Sequence, residues 1–333
     1  MLAVAATSGS GLAQDVLLPV LAFAYWRPYH RRARLLAANG RPVTRWRQWM
    51  FAGGIVVLLI ALSSPFASLS GDLLIAHMIE HLLIGDIAAL MIVLGLTGPM
   101  IAPLLRIRVI ARLRFLVHPL VAAPLWLVDF YAWHLPVLYQ AALRHDAIHA
   151  LQHACFFCFG FTMWMALFGP LPKPAWFGNA ARLLYIGGVR LAGAVLGNVF
   201  LWSHTIFYPY YIGRDSTYGI SPQTDQNVAG AVMMVEGSIL TLGLFAWLFL
   251  RAAAQSEERQ ELLDFALANA YTLDEARATR AVAAGRGADL RVRLAGAAVR
   301  EAAEAAEAAA APEPAPARVP DEADTGAAPR VGI

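Results

Sequence analysis

Apolar residues fall in seven long runs separated by short polar or basic stretches. The runs lie near 12–27, 46–67, 73–97, 115–135, 146–169, 180–203 and 224–250. About 20 helical residues cross the roughly 30 Å hydrocarbon core of a bilayer, so each run reads as a transmembrane helix. The first is the shortest and ends at Arg27. Its arginine cluster follows it instead of preceding it, which marks a retained span and not a cleaved signal peptide. The pattern therefore predicts an all-α, polytopic membrane bundle of seven helices over residues 1–250.

Beyond residue 250 the pattern changes. Residues 255–268 and 272–284 read as short polar helices, the second opened by a Thr272-x-x-Glu275 capping box. Residues 287–311 are rich in Ala, Arg and Glu and predict a further helix. From Pro312 onward, Pro-Glu-Pro-Ala-Pro and Asp-Glu-Ala-Asp cannot bury enough apolar surface to order themselves. Residues 251–333 thus form a tail, partly helical to about 311 and then disordered.

Composition agrees with this division. The chain is 59% hydrophobic and 15% charged, with a mean hydropathy of +0.54, which excludes an ordinary soluble enzyme. The net charge of +3 is unevenly split. Residues 1–250 carry 16 basic against 9 acidic side chains, whereas 251–333 carry 10 against 14. Cations crowd alternate loops: Arg27 to Arg47, then Arg106 to Arg114, then Lys173 and Arg182, then the tail from Arg251. The positive-inside rule then places the N-terminus outside and the tail in the cytoplasm. These loop arginines need no nucleic acid to explain them, and no phosphate-binding glycine loop or internal repeat is present.

Histidine placement carries the chemistry. His30 and His118 belong to the inner side, while His77, His81, His134, His145, His149, His153 and His204 all map to the outer half, from four different spans. His77 and His81 are four apart, as are His149 and His153, so each pair shares one helix face and offers two nitrogen ligands on consecutive turns. His81 and His153 both fall roughly 12 Å below the outer surface by helical rise, and Met233 reaches a similar depth in the last span. Imidazole with thioether suits Cu(I) better than a hard cation. His134, His204 and Met233 are candidates to complete a set built on His77, His81, His149 and His153. His145 reads as an exposed polar residue.

Cys155-x-x-Cys158 resembles a metal or redox motif, but both sulfurs project away from His149 on the same helix, which predicts apolar packing. Arg190, Asp86 and Glu236 lie deep in their spans. An unpaired intramembrane charge is costly, so Arg190 is expected to pair with Asp86 or Glu236. Asp129 is placed to orient a ligand histidine.

With these residues in view, the chain resembles the CtaG family of polytopic cytochrome c oxidase assembly factors, the seven-span family. The resemblance rests on His77-Met78-Ile79-Glu80-His81-Leu82-Leu83 with Leu94-Gly95 and Pro99, and on Trp133-His134-Leu135-Pro136-Val137-Leu138-Tyr139. His149-Ala150-Leu151-Gln152-His153 follows, then Tyr208-Pro209-Tyr210 and Asp225-Gln226 leading to Ala229-Gly230 and Met233. It covers roughly residues 10–250 in order and leaves the tail unmatched. Met234 and Glu236 depart from the pattern, which has Trp and a small residue or Pro there.

The resemblance implies a non-enzymatic role in assembling a haem–copper oxidase, with copper handled for the catalytic subunit. It further implies a multi-pass protein of the bacterial inner membrane, whose partners would be that subunit and a periplasmic copper donor protein. Homo-oligomerisation is left open. Two alternatives remain open. An inward copper transporter needs a relay of soft ligands, and below Met233 only Met91, Met163 and Met165 offer one. A haem-binding electron-transfer protein could use histidines from different helices, although Phe159 follows Cys155-x-x-Cys158 where a c-type attachment would need His.

Overall fold

The computed structural model describes residues 11–283 and 285–310. Its elements are helical, and no strand occurs among the described residues. The chain divides into two compact units, Met1–Phe249 and Leu250–Ile333.

The first unit opens with α1 (Gly11–Ala38) and α2 (Arg45–Ala61). The arginines expected in a loop after residue 27 instead extend α1, which runs on through Pro28; the Arg, Leu and Ala that follow favour helix, and the element ends only at Asn39-Gly40. Gly40 ends it with φ +69, and the Arg41 N–H returns to the Leu36 carbonyl at 2.9 Å. With Arg27, Arg31, Arg32 and Arg34 in its second half, α1 is not apolar enough over a span's length to rank as a membrane-crossing helix. Tyr29 of α1 stacks on Phe51 of α2, with ring centroids 3.9 Å apart.

After α3 (Ser64–Asp72), extended Leu73 breaks the chain direction before α4 (Leu74–Leu82). A π-helical turn, Leu83–Ala88, and α5 (Ala89–Gly95) continue α4, giving a helix of 22 residues. The π turn was invisible to a 3.6-residue period. Arg47 donates to the carbonyls of Leu94 (2.8 Å) and Leu96 (2.9 Å), satisfying acceptors that the end of α5 leaves open.

Short α6 (Gly98–Ile101) and α7 (Arg108–Leu113) lead to α8 (Pro119–Trp133), which starts with Pro119 in its first turn. The expected outer loop 134–146 contains a further helix, α9 (Pro136–Arg144), again begun by proline. Next come α10 (Asp146–Phe168), α11 (Asn179–Trp202) and α12 (Pro222–Ala268). α12 continues past the expected span end at 250, because residues 251–268 contain neither Gly nor Pro and are rich in Ala, Gln, Glu and Leu.

Four helices among the described residues are long and apolar enough to cross a membrane: Leu74–Gly95, Asp146–Phe168, Asn179–Trp202 and Pro222–Ala268. The number rises to six if each of two bent pairs counts as one span: Arg45–Ala61 with Phe66–Asp72, bent by 51°, and Arg108–Val117 with Pro119–Trp133, bent by 79°. Large side chains such as Leu184 (78% exposed) and Leu242 (74% exposed) face outward, as an apolar solvent requires.

Two backbone approaches set the bundle. A β-carbon on Gly160 would lie 2.2 Å from the Gly85 carbonyl oxygen, so α10 and the π turn touch main chain to main chain. A β-carbon on Gly230 would likewise lie 2.5 Å from the Gly197 carbonyl, joining α12 to α11.

In the second unit, α13 (Glu275–Ala283) and α14 (Gly287–Ala310) flank a turn at Gly285. Val282 of α13 and Leu290 and Leu294 of α14 form a core with Leu262 from the end of α12. The cap of α13 is Asp274, not Thr272: its carbonyl accepts from Arg277 and Ala278, and its Oδ1 from the Ala276 N–H at 3.3 Å. The helix therefore starts two residues later than the capping-box pattern predicts. The segment from Pro312, predicted to be disordered, lies outside the described residues.

Candidate metal centre

α4 presents His77 and His81 on one face, and α10 presents His149 and His153 across from them. His134, just past the end of α8, closes the third side. Ring centroids lie 4.3 Å apart for His77 and His81, 5.1 Å for His77 and His149, and 4.2 Å for His149 and His153. His81 stands 5.6 Å from His153 and 6.3 Å from His134. The Gly85–Gly160 contact favours this closeness, because it draws α4 and α10 together about one to three turns below the imidazoles.

Two ligand groups capable of holding a metal ion emerge among the described residues. They are His77 with His81 and His149, and Glu80 with His149 and His153; within each, the donor atoms lie inside 4.8 Å of one another. His77 and Glu80 are wholly buried. His77 Nε2, both nitrogens of His81, and Nε2 of His134, His149 and His153 are buried without a hydrogen bond. So are both Glu80 carboxylate oxygens, the nearer of which lies 3.6 Å from His153 Nε2. Buried polar atoms are normally paired, and unpaired donors gathered this closely are an arrangement suited to a cation.

The surrounding groups fix which nitrogens face inward. The Tyr211 hydroxyl donates to the Ser70 carbonyl at 3.3 Å and lies 3.2 Å from His77 Nδ1. His77 Nδ1–H can then donate to the Tyr211 oxygen, leaving the Nε2 lone pair for the chamber. His134 Nδ1–H donates to the Phe130 carbonyl at 2.6 Å, with the same result at its Nε2. Asp129, expected to orient a ligand histidine, makes no hydrogen bond to His134; the backbone carbonyl takes that role. The Tyr208 hydroxyl donates to the His134 carbonyl at 2.8 Å, and Tyr139 stacks on Tyr208 and approaches Tyr211. Burial pushes the Tyr208 and Tyr211 phenols up, so both remain neutral donors.

A small cavity of about 20 Å³ lies beside His81 and His134, walled by Met78, Met233, Asp86 and Phe156 among others. Met233 thus stands with the histidines. Met78 joins it. A larger cavity of about 510 Å³ shares Leu82, Asp86, Trp126, Phe130 and Met233 with this one. It also contains Arg190, which makes paired hydrogen bonds to Asp86 (2.6 and 3.1 Å) and lies 3.8 Å from Glu236. Arg190 therefore engages both expected carboxylates, and Asp86 holds it by a two-pronged contact.

Not every expected residue converges. His204 is exposed beyond the end of α11, and no ring contact joins it to the other histidines among the described residues. His145 is exposed at the start of α10. Cys158 is exposed, Cys155 is half-buried, and neither belongs to a ligand group. Sequence reasoning missed Glu80, Tyr139 and Tyr211 as parts of the centre. Glu80 was legible, since three residues after His77 keeps it on the same helix face. The tyrosines come from α9 and from the 209–211 turn, elements with no periodic signal.

Apolar helices closing around a buried imidazole chamber define a helical membrane-type protein with a candidate metal centre. A family model described as cytochrome c oxidase caa3 assembly factor matches residues 23–255, and the chain belongs to that family. Membership implies association with a cytochrome c oxidase. No curated protein and no solved structure matches the chain.

Proposed function

We propose that the histidine chamber carries copper, as Cu(I), for insertion into the catalytic subunit of the oxidase. His77, His81, His149 and His153 hold the ion, with His134, Met233 and Glu80 within reach as it moves; His204 has no part. The observation that carries this reading is the convergence of five histidines, three buried and two half-buried, each with a buried ring nitrogen that lacks any hydrogen bond. Neutral imidazole with thioether from Met78 and Met233 is a soft donor set, matched to Cu(I) and poorly matched to calcium or magnesium. Glu80, the carboxylate within the ligand groups, balances a single positive charge in a largely buried site. Ligand pockets for organic cofactors run roughly 300–1,000 Å³; the cavity beside His81 is only about 20 Å³, and the adjoining one of about 510 Å³ is lined by no histidine, which favours a bare ion over haem.

In this reading α1 and both bent pairs also cross the bilayer. The protein then has seven spans in the bacterial inner membrane, with its N-terminus and the chamber toward the outside and the tail in the cytoplasm. It delivers an ion and catalyses no reaction.

The test is copper content per chain on detergent-purified protein grown with added copper, together with its absorption spectrum. About one copper per chain and no Soret band are expected, with loss of copper and of oxidase maturation in His81→Ala/His153→Ala. Normal maturation in that double variant would sink the proposal. Retention of copper by Cys155→Ser/Cys158→Ser would confine the site to the histidine chamber.

A further inference from the structure

The second unit carries a feature that the family model, ending at residue 255, does not cover. Arg277 and Arg280 lie one turn apart on α13, Arg286 sits in the turn after it, and Arg293 lies one turn beyond Asp289 on α14. Together they line a cleft of about 280 Å³ floored by Ala281 and Leu290. Four guanidinium groups thus face one carboxylate.

Overall basicity does not explain this, because residues 251–333 hold 14 acidic side chains against ten arginines. The acidic groups are placed elsewhere. Glu275 pairs with Arg259 at 3.3 Å, and Glu258 packs against Gly287 at the start of α14. Arg291, on another face, lies over the Phe265 ring at 4.7 Å. Among the described residues none of the four cleft arginines has an ion-pair partner. Like charges gathered in this way repel, though water screens them enough for the hairpin to fold. The arrangement gains energy only when an anion sits between them. Arginine, unlike lysine, offers planar paired donors that match a phosphate's oxygens, and lysine is absent from the tail.

We propose that this cleft, formed by Arg277, Arg280, Arg286 and Arg293, binds a phosphate-bearing anion. The ligand is either a free phosphate or diphosphate group, or the phosphate headgroup of a lipid; the recognition chemistry is the same. Asp289 limits the excess positive charge and favours a di- or trianion over a large polyanion.

The experiment uses the full chain in nanodiscs of phosphatidylcholine, titrated with inorganic pyrophosphate by calorimetry. Saturable binding near one per chain is expected, weakening about tenfold or more in Arg280→Gln/Arg293→Gln. Arg291→Gln/Arg300→Gln, outside the cleft, should bind as the parent does. Circular dichroism checks that the glutamine variants keep their helix content. A repeat in discs of equal phosphatidylcholine and phosphatidylglycerol separates the sources. Weaker pyrophosphate binding there, by the parent only, identifies the lipid headgroup as competitor; unchanged binding identifies a soluble phosphate. No saturable binding in phosphatidylcholine discs, or equal binding by the parent and Arg280→Gln/Arg293→Gln, overturns the proposal.

Discussion

Asp225 Oδ2 lies 2.7 Å from the backbone nitrogen of Leu74, and its Oδ1 lies 2.9 Å from that of Ile75. A carboxylate at the start of α12 thereby caps the first turn of α4, the helix that presents His77 and His81. Leu73, the local residue at the cap position, has no side chain able to do this. The capping residue is borrowed from 150 positions downstream, and it fixes the angle at which the two histidines enter the chamber.

Asp225→Ala should therefore loosen the metal centre without touching a ligand. Leaving the buried Leu74 N–H unpaired costs about 1–3 kcal/mol, with a smaller loss at the partly buried Ile75 N–H, read as a lower thermal midpoint in detergent. Copper occupancy should fall with it, and Asp225→Asn should recover part of both. An unchanged midpoint would show that water replaces the cap.

The Gly85–Gly160 contact makes a second prediction. Gly160→Ala places a β-carbon 2.2 Å from the Gly85 carbonyl, so α10 must move away from the π turn. Overpacking of this kind costs about 1–3 kcal/mol, and the shift carries His149 and His153 away from His77 and His81. Copper binding should drop by more than stability alone explains. Gly188→Ala in α11 meets no atom within 4 Å and should be neutral or slightly stabilising.

Much of this centre is legible in the sequence for a physical reason. Spacing of four residues fixes the azimuth of His77 relative to His81, and of His149 relative to His153, wherever the helices go. Apolar length likewise announces the long helices around them. Spacing is silent, however, on what packs beside a helix. The cap from Asp225, the Tyr211 contact to His77 and the carbonyl partner of His134 all join residues far apart in sequence or depend on turns. His134 and His204 both lie past a helix end, where helical spacing assigns no azimuth, and only the fold brings the first to the chamber and leaves the second exposed. The extended α1 shows the limit of hydropathy: arginine is a good helix former, so polarity ended the apolar run without ending the helix.

Lys173 supplies a pH-dependent prediction outside the spans. Its ammonium donates to the Met165 carbonyl near the end of α10, where Gly169 also donates at 3.0 Å. Burial, with Arg182 nearby, pushes its pKa down from 10.5 to about 8. Below that value both folded and unfolded chains hold the proton, and the folded state bears the whole penalty. Above it the folded chain releases the proton while the unfolded chain keeps it, so stability rises with pH through the window up to 10.5. The thermal midpoint should climb from about pH 8 to about 9.5, before tyrosines titrate. Lys173→Met should flatten that climb; an identical slope in the variant would assign it to another group.

The Arg190 cluster predicts a graded response. Asp86 meets the guanidinium with two oxygens at 2.6 and 3.1 Å, Glu236 stands off at 3.8 Å, and the Trp164 ring lies 4.9 Å from the guanidinium carbon. Removing one partner of a buried pair costs about 3–5 kcal/mol, because the remaining charge is stranded in a low-dielectric setting. Asp86→Asn should approach that figure. Glu236→Gln should cost less, since its longer, single contact leaves Asp86 in place to neutralise Arg190. Thermal unfolding of both variants in one detergent measures the difference. Equal losses would mean that the two carboxylates share the guanidinium evenly, contrary to the geometry of the pair.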